Sequence, residues 1–189
     1  GVTKAAAEDL CHLFRRNYAL PVIVLRTSRF FPEEDDDAGA RDSFSDANLK
    51  ANEYLFRRVD IEDVVSAHLL ALEQAGSAGF ARYIVSAPTP FHAEDVEDLR
   101  QNPAAVVERR VPDYAREYQR RGWRLPESID RVYVSERAIR ELGWRPRYDF
   151  RRIIALLQQD EETRSPLARL VGSKGYHAQR FAEGPYPVA

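Results

Sequence analysis

The sequence predicts an α/β fold in which a parallel sheet is flanked by helices, and three observations carry that reading. Residues 3–18 place Leu10, Leu13 and Phe14 at helical spacing, with Glu8, Asp9, Arg15 and Arg16 in the other positions. Val22-Ile23-Val24-Leu25 is a continuous β-branched and aliphatic run, the pattern of a strand buried on both faces. The order then repeats, with an apolar helix pattern over 64–72 and a second strand pattern over 82–86. A helix followed at once by a buried strand is the second half of a strand–helix–strand unit, whose first strand this sequence does not contain. At 189 residues the chain suffices for one domain with a real core and is short for two.

The elements follow in order. Pro21 closes the connection after the first helix. Glu33 to Asp37 form an acidic run that reads as a water-facing loop, since consecutive acids lack the spacing of a calcium or magnesium site. A polar helix is expected over 46–56 with Asp46 as its N-cap. Val59-Asp60-Ile61 reads as a short strand, Glu62 or Asp63 as the start of the next helix, and 64, 65, 69 and 72 as its core stripe. Asp63 is read as a cap in preference to a catalytic acid. His68, inside that helix, reads as structural. Gly76 and Gly79 break the chain before the strand at 82–86. Further helices are expected at 93–100, stopped by Asn102-Pro103, at 112–121, at 136–142 between Ser135 and Gly143, and at 151–158. Val132-Tyr133-Val134 reads as a strand and everything from Ser165 as an extended tail.

Composition narrows the function classes. A formal net charge of -2 gives no global field toward nucleic acid or an anionic membrane. Cys11 is the only cysteine, which excludes an internal disulfide and a cysteine-built zinc site, leaves no metal centre expected, and fits a reducing, cytoplasmic setting. The longest apolar run, 20–25, is far too short to span a bilayer.

Four segments, taken together and in order, resemble the extended short-chain dehydrogenase/reductase family of NAD-dependent epimerases and dehydratases. Gly1-Val2-Thr3-Lys4 is similar to that family's Tyr-Gly-x-Ser/Thr-Lys from its second position onward, so tyrosine is the expected preceding residue. Arg26-Thr27-Ser28-Arg29-Phe30-Phe31-Pro32 resembles Arg-x-x-Asn-x-Tyr-Gly-Pro after a buried strand. Val59 to His68 resembles the Val-x-Asp-Val-x-x-Ala signature, and Leu142-Gly143-Trp144-Arg145-Pro146 the Leu-Gly-Trp-x-Pro near the family's C-terminus. The resemblance spans residues 1 to about 155. It implies the C-terminal part of a Rossmann-like doubly wound sheet plus a small, mostly helical substrate-binding region. The implied division is 1–30 for the end of the Rossmann core, 31–58 for a substrate-region loop and helix, 59–87 for a returning strand–helix–strand, 88–164 for the C-terminal substrate-binding region, and 165–189 for the tail.

The resemblance also implies chemistry. Tyr and Lys four apart lie on one helix face. An ammonium about 4 Å from a phenol at an effective dielectric of 20 lowers its pKa by roughly three units, enough to make it a proton relay at neutral pH. Lys4 is thus the implied catalytic residue, and also holds the nicotinamide ribose of NAD or NADP; read alone it is a solvated lysine in a first turn. Thr27 and Ser28 are implied beside the nicotinamide, and an ordinary strand-end turn reads equally well there. Arg29 replaces an asparagine that contacts the substrate's diphosphate region, and the arginine expected before the Val-x-Asp signature is Phe56, with Arg57 and Arg58 adjacent. Arg29, Arg57 and Arg58 are therefore the substrate-binding candidates, suited to phosphate or carboxylate. Trp123, among Arg120, Arg121 and Arg124, reads either as a base-stacking residue or as local cation–π packing. No Gly-x-x-Gly-x-x-Gly turn is present, and Gly172-Ser173-Lys174-Gly175 lacks the strand before it. The expected protein is thus an epimerase/dehydratase-type oxidoreductase present as a part that is inactive alone, acting on a small molecule of the nucleotide-sugar class and admitting a homodimer. The alternatives are a noncatalytic binding or regulatory module that kept the fold, and a free-standing α/β domain.

Overall fold

The computed structural model describes residues 1–35 and 37–172. Helix α1 (Val2–Tyr18) leads into strand β1 (Val22–Thr27). A connection containing α2 (Ala38–Ser43), α3 (Asp46–Glu53) and α4 (Ile61–Ala78) then returns the chain to strand β2 (Phe80–Val85). β1 and β2 pair in parallel, from Val22 opposite Phe80 to Thr27 opposite Val85, so the described residues form an α/β fold with a two-stranded sheet.

The sheet's two faces differ. Ile23, Leu25, Ala81, Tyr83 and Val85 share one face and pack into a core with Val59, Val64, Ala67 and Trp144. The other face carries Arg26 and Arg82 under α1, so β1 is half-buried and not buried on both faces as its apolar run predicts. Nor does α1 bury its apolar stripe: Leu10, Leu13 and Phe14 are exposed, while Glu8, Cys11 and Arg15 lie toward the sheet.

α4 departs from expectation in a similar way. Val64, Ala67 and Ala71 are buried, whereas Val65, Leu69 and Leu72 of the predicted core stripe are exposed. The helix lies close on the strands, and small side chains permit that approach where leucine would hold it off. Residues 59–61 form no strand. A single parallel bridge joins Arg29 and Arg58, and Asp60 then caps α4 by accepting the Glu62 N–H at 2.8 Å. Gly76 lies within the helix, and Gly79, at φ 69°, ends it. On α3 the cap is Ser45, with Asp46 in the first turn.

A second core gathers the C-terminal helices. α5 (Val96–Gln101) follows a short 3-10 turn, Ala93–Asp95. It gives way at once to α6 (Pro103–Arg110), a helix that the sequence did not lead one to expect, since Asn102-Pro103 reads as a stop. Asn102 ends one helix and caps the next through the Ala105 N–H, and Pro103 sits at the first position, where its missing N–H costs nothing. α7 (Tyr114–Arg121), α8 (Glu136–Leu142) and α9 (Phe150–Gln158) match the periodicity. Leu99, Val106, Val107, Tyr118, Phe150 and Ile153 are buried together here. Arg121 stacks over Trp123 at 5.5 Å, the local cation–π packing. Residues 132–134 form no strand and attach through the Tyr133 N–H to the Phe56 carbonyl at 2.9 Å. The expected tail begins instead with α10 (Pro166–Val171), capped by Ser165; Ser173-Lys174-Gly175 lie outside the described residues.

Asp63 joins the two cores. It is buried and does not cap α4; its carboxylate accepts the Arg147 N–H at 2.8 Å and the Tyr148 N–H at 3.0 Å. Trp144 Nε1 donates to the Asp63 carbonyl at 3.1 Å and to Ser66 Oγ at 3.0 Å. Burial outweighs the two backbone hydrogen bonds and pushes the Asp63 pKa up to about 6. The folded state therefore holds this proton more tightly than the unfolded chain, and the group's contribution to stability falls as pH rises from about 4 to about 6. At ~1.4 kcal/mol per unit the effect is about 2–3 kcal/mol. Asp95 and Glu162, held low by Arg110 and Arg164, titrate below that window. In urea unfolding, the stability of Asp63→Asn relative to wild type is expected to rise by that amount between pH 4 and pH 7. A difference that does not change with pH contradicts this account of the buried carboxyl.

Candidate functional site

The register of α1 on the sheet sets the first part of the site. Glu8 accepts Arg26 Nε and Nη2 at 2.8 and 2.7 Å, and its carboxylate lies 3.1 Å from Arg82. Farther along, the His12 ring packs on Phe80 at 4.7 Å, so α1 runs antiparallel to both strands. Lys4 lies on the Glu8 face of the helix, one turn or about 6 Å closer to the carboxyl end of the sheet. There Thr27 ends β1 opposite Val85, and Ser28 N–H donates to the Val85 carbonyl at 2.9 Å. Lys4 is exposed and makes no hydrogen bond or ion pair among the described residues. Ser28 Oγ is sheltered from solvent and has no hydrogen-bond partner among the described residues. Lys4, Thr27 and Ser28 thus come to one end of two parallel strands, with an available cation and an unused hydroxyl.

The three candidate arginines converge next to this edge. The bridge between Arg29 and Arg58 brings their backbones side by side, and all three side chains reach Glu53 at the end of α3. Arg58 Nη1 bonds Glu53 Oε2 at 2.7 Å, and its Nη2 donates to the Phe31 carbonyl at 2.6 Å. Arg57 Nη2 and Arg29 Nε approach Glu53 Oε1 at 3.0 and 3.4 Å as ion pairs without hydrogen-bond geometry. Glu53 and Arg58 are buried, whereas Arg29 and Arg57 keep more than a third of their side chains exposed.

Asp35 closes the cluster from the loop side. Its Oδ2 accepts Arg29 Nη1 at 2.9 Å and Arg57 Nη2 at 3.4 Å, and its Oδ1 accepts the Asp37 N–H at 2.9 Å. The sequence reading has this acidic run facing water; Asp35 is instead buried, because two guanidinium groups supply the counter-charge that burial demands. Phe56 packs against the C-terminal core, with the Arg57 guanidinium 5.4 Å over its ring. Glu53 and Asp35 went unread as members of the site. Glu53 had a local signal, standing four residues before Arg57 on helical spacing. Asp35, reached through a loop, had none.

Behind the arginines lies a cavity of about 400 Å³ between α3, α9 and the segment leading into α10. Pro32 and Arg58 line it on the cluster side, and Lys50, Tyr54, Trp123 and Arg164 elsewhere. Lys50 is engaged by the Pro32 carbonyl at 2.5 Å and Asp46 at 2.6 Å. Lys4, Thr27, Ser28, Arg29 and Arg57 do not line this cavity. His68 Nδ1 lies 2.8 Å from the Val64 carbonyl in its own helix. Among the described residues no group of three or more His, Cys, Asp or Glu side chains is placed to hold a metal, and no helix is long and apolar enough to cross a membrane. No protein-family model matches the chain, and no curated protein matches it.

Proposed function

We propose that this chain is the C-terminal part of an NAD(P)-dependent oxidoreductase of the epimerase/dehydratase type, resembling extended short-chain dehydrogenases/reductases, with a substrate of the nucleotide-sugar class. The observation that carries the reading is that α1, pinned by Glu8 on Arg26, points its N-terminus toward the carboxyl end of two parallel strands, where Thr27 and Ser28 lie and Lys4 stands one helical turn beyond Glu8. Open α/β sheets bind their ligands in that place. An unpaired ammonium and a sheltered hydroxyl without a partner suit the ribose hydroxyls and carboxamide of a nicotinamide nucleotide. The fit ends there, because no glycine-rich turn among the described residues opens a helix to cradle a pyrophosphate. Among the described residues β1 is paired on one side only, and further parallel strands bearing such a turn would add at its other edge.

When bound, the cofactor supplies hydride transfer. Lys4 would hold the ribose hydroxyls through its ammonium group. Its charge lowers the pKa of the phenol expected one turn before it, which takes or returns a proton at a substrate hydroxyl. Arg29 and Arg57 present guanidinium donors to an anionic group of the substrate, and Arg58, fixed on Glu53, holds them in place. The pairing of these arginines with Glu53 and Asp35 favours a second reading, a noncatalytic module; a residue before Gly1 that cannot carry a proton would support it. The test is titration of NAD and NADP into this chain and into the protein extended at its N-terminus. Tight binding by the extended protein alone supports the proposal.

A further inference from the structure

We infer that the Asp35 carboxylate occupies an oxyanion site formed by Arg29 and Arg57, so that a phosphate-type ligand binds there by replacing this chain's own carboxylate. The inference rests on the reading of these two arginines as anion-gripping residues and adds the competitor that governs them. Asp35 lies in a run of acids on a loop, yet its side chain is only 5% exposed and one oxygen, Oδ2, is shared by both guanidinium groups. Its other oxygen is spent on the Asp37 N–H. The carboxylate therefore leaves a donor unserved: Arg57 Nε is sheltered and has no acceptor among the described residues. Buried guanidinium donors are seldom left in that state. A tetrahedral phosphate has the oxygens that a carboxylate lacks. It can take two N–H groups of Arg57 side by side and still accept from Arg29 Nη1.

Charge points the same way. Arg29, Arg57 and Arg58 share the Glu53 and Asp35 carboxylates, and withdrawal of Asp35 takes one negative charge away from Arg29 and Arg57. Glu53 cannot act as the exchangeable anion, since it is buried beneath the cluster and bonded to the buried Arg58. Asp35 is the carboxylate on the exposed side, held by the two arginines that remain accessible. Occupation by Asp35 keeps the pair neutralised until a stronger anion arrives, which selects phosphoryl groups over weakly bound carboxylates.

Inorganic pyrophosphate titrated calorimetrically into the 189-residue chain, Asp35→Asn and Asp35→Asn/Arg57→Gln tests the inference. Losing one charge-assisted competitor should tighten binding to Asp35→Asn by at least about tenfold, and the added Arg57→Gln change should abolish the gain. If Asp35→Asn binds no tighter than wild type while Arg57→Gln alone weakens binding, the arginines grip anions but Asp35 does not compete, and only the inference falls. If no form binds pyrophosphate, the anion-gripping reading falls with it. Should Asp35→Asn fail to fold, the wild-type amide spectrum decides. Displacement shifts the Asp37 N–H together with Arg57 Nε–H, and a shift of Arg57 with Asp37 unmoved overturns the inference.

Discussion

Glu53→Ala is expected to destabilise the chain by about 3–5 kcal/mol, the cost of leaving a buried cation without its partner. Glu53 is 1% exposed, and its Oε2 is the 2.7 Å partner of Arg58, itself buried. Arg58 keeps the Phe31 carbonyl after the substitution but loses its carboxylate, and Arg29 and Arg57 lose the carboxylate beneath them. Arg58 cannot neutralise itself by giving up a proton, as a buried lysine would. Urea denaturation measures the change directly. Glu53→Gln should recover part of it, because an amide oxygen still accepts from Arg58 Nη1. A loss below about 1 kcal/mol for Glu53→Ala would mean that the cluster is a surface ion network of the weak kind.

Lys4→Ala should have the opposite profile. Lys4 is exposed, makes no ion pair among the described residues and lies in the first turn of α1, so the substitution should change stability by no more than about 0.5 kcal/mol. In the N-terminally extended protein, the same substitution should cost about 10²–10⁴ in turnover, the usual worth of a positioned proton relay. The alkaline-going limb of the rate profile that reports the phenol should move up by roughly three pH units, since the ammonium no longer favours the phenolate. A loss of turnover with that limb unmoved would assign Lys4 to cofactor binding alone. Unchanged turnover would remove it from the site.

How legible these features were depends on the range of the forces that set them. α7, α8 and α9 follow from apolar spacing, with Gly122 and Gly143 in left-handed conformation closing the first two and Asp149 capping the third, and these signals are local. α6 was hidden because Asn102-Pro103 ends a helix as readily as it begins one, and only the Ala105 N–H bonded to Asn102 tells the two apart. In α4 hydropathy favours Val65, Leu69 and Leu72, but close approach to the sheet selects Ala67 and Ala71. Tertiary distance decides that choice, and a single helix does not contain it. Ser45 and Asp46 are both good caps one residue apart, a separation that composition does not resolve. The expected strand at 59–61 stops at the bridge between Arg29 and Arg58 because Asp60 caps α4 and Ile61 begins it, and 132–134 keeps a single backbone bond, from the Tyr133 N–H to the Phe56 carbonyl.

The site divides in the same manner. Lys4, Thr27 and Ser28 are candidates by motif order alone, whereas the pairing of Glu8 with Arg26, which sets the direction of α1 on the strands, is not legible in that order. Arg29, Arg57 and Arg58 could be named as cations, but their convergence needed two carboxylates from different segments. Asp63 shows the limit of local reasoning most plainly. At a helix start it reads as a cap, yet its partners are Arg147 and Tyr148, more than eighty residues away.

Cofactor binding tests the central claim most directly. NAD and NADP are titrated by calorimetry into the 189-residue chain and into the protein extended at its N-terminus by its own preceding sequence. The predicted result is micromolar binding of one of the two dinucleotides by the extended protein, weakened by Lys4→Ala, with no more than millimolar binding by this chain alone. Micromolar binding by the 189-residue chain, or binding by the extended protein that is indifferent to Lys4, would contradict the account.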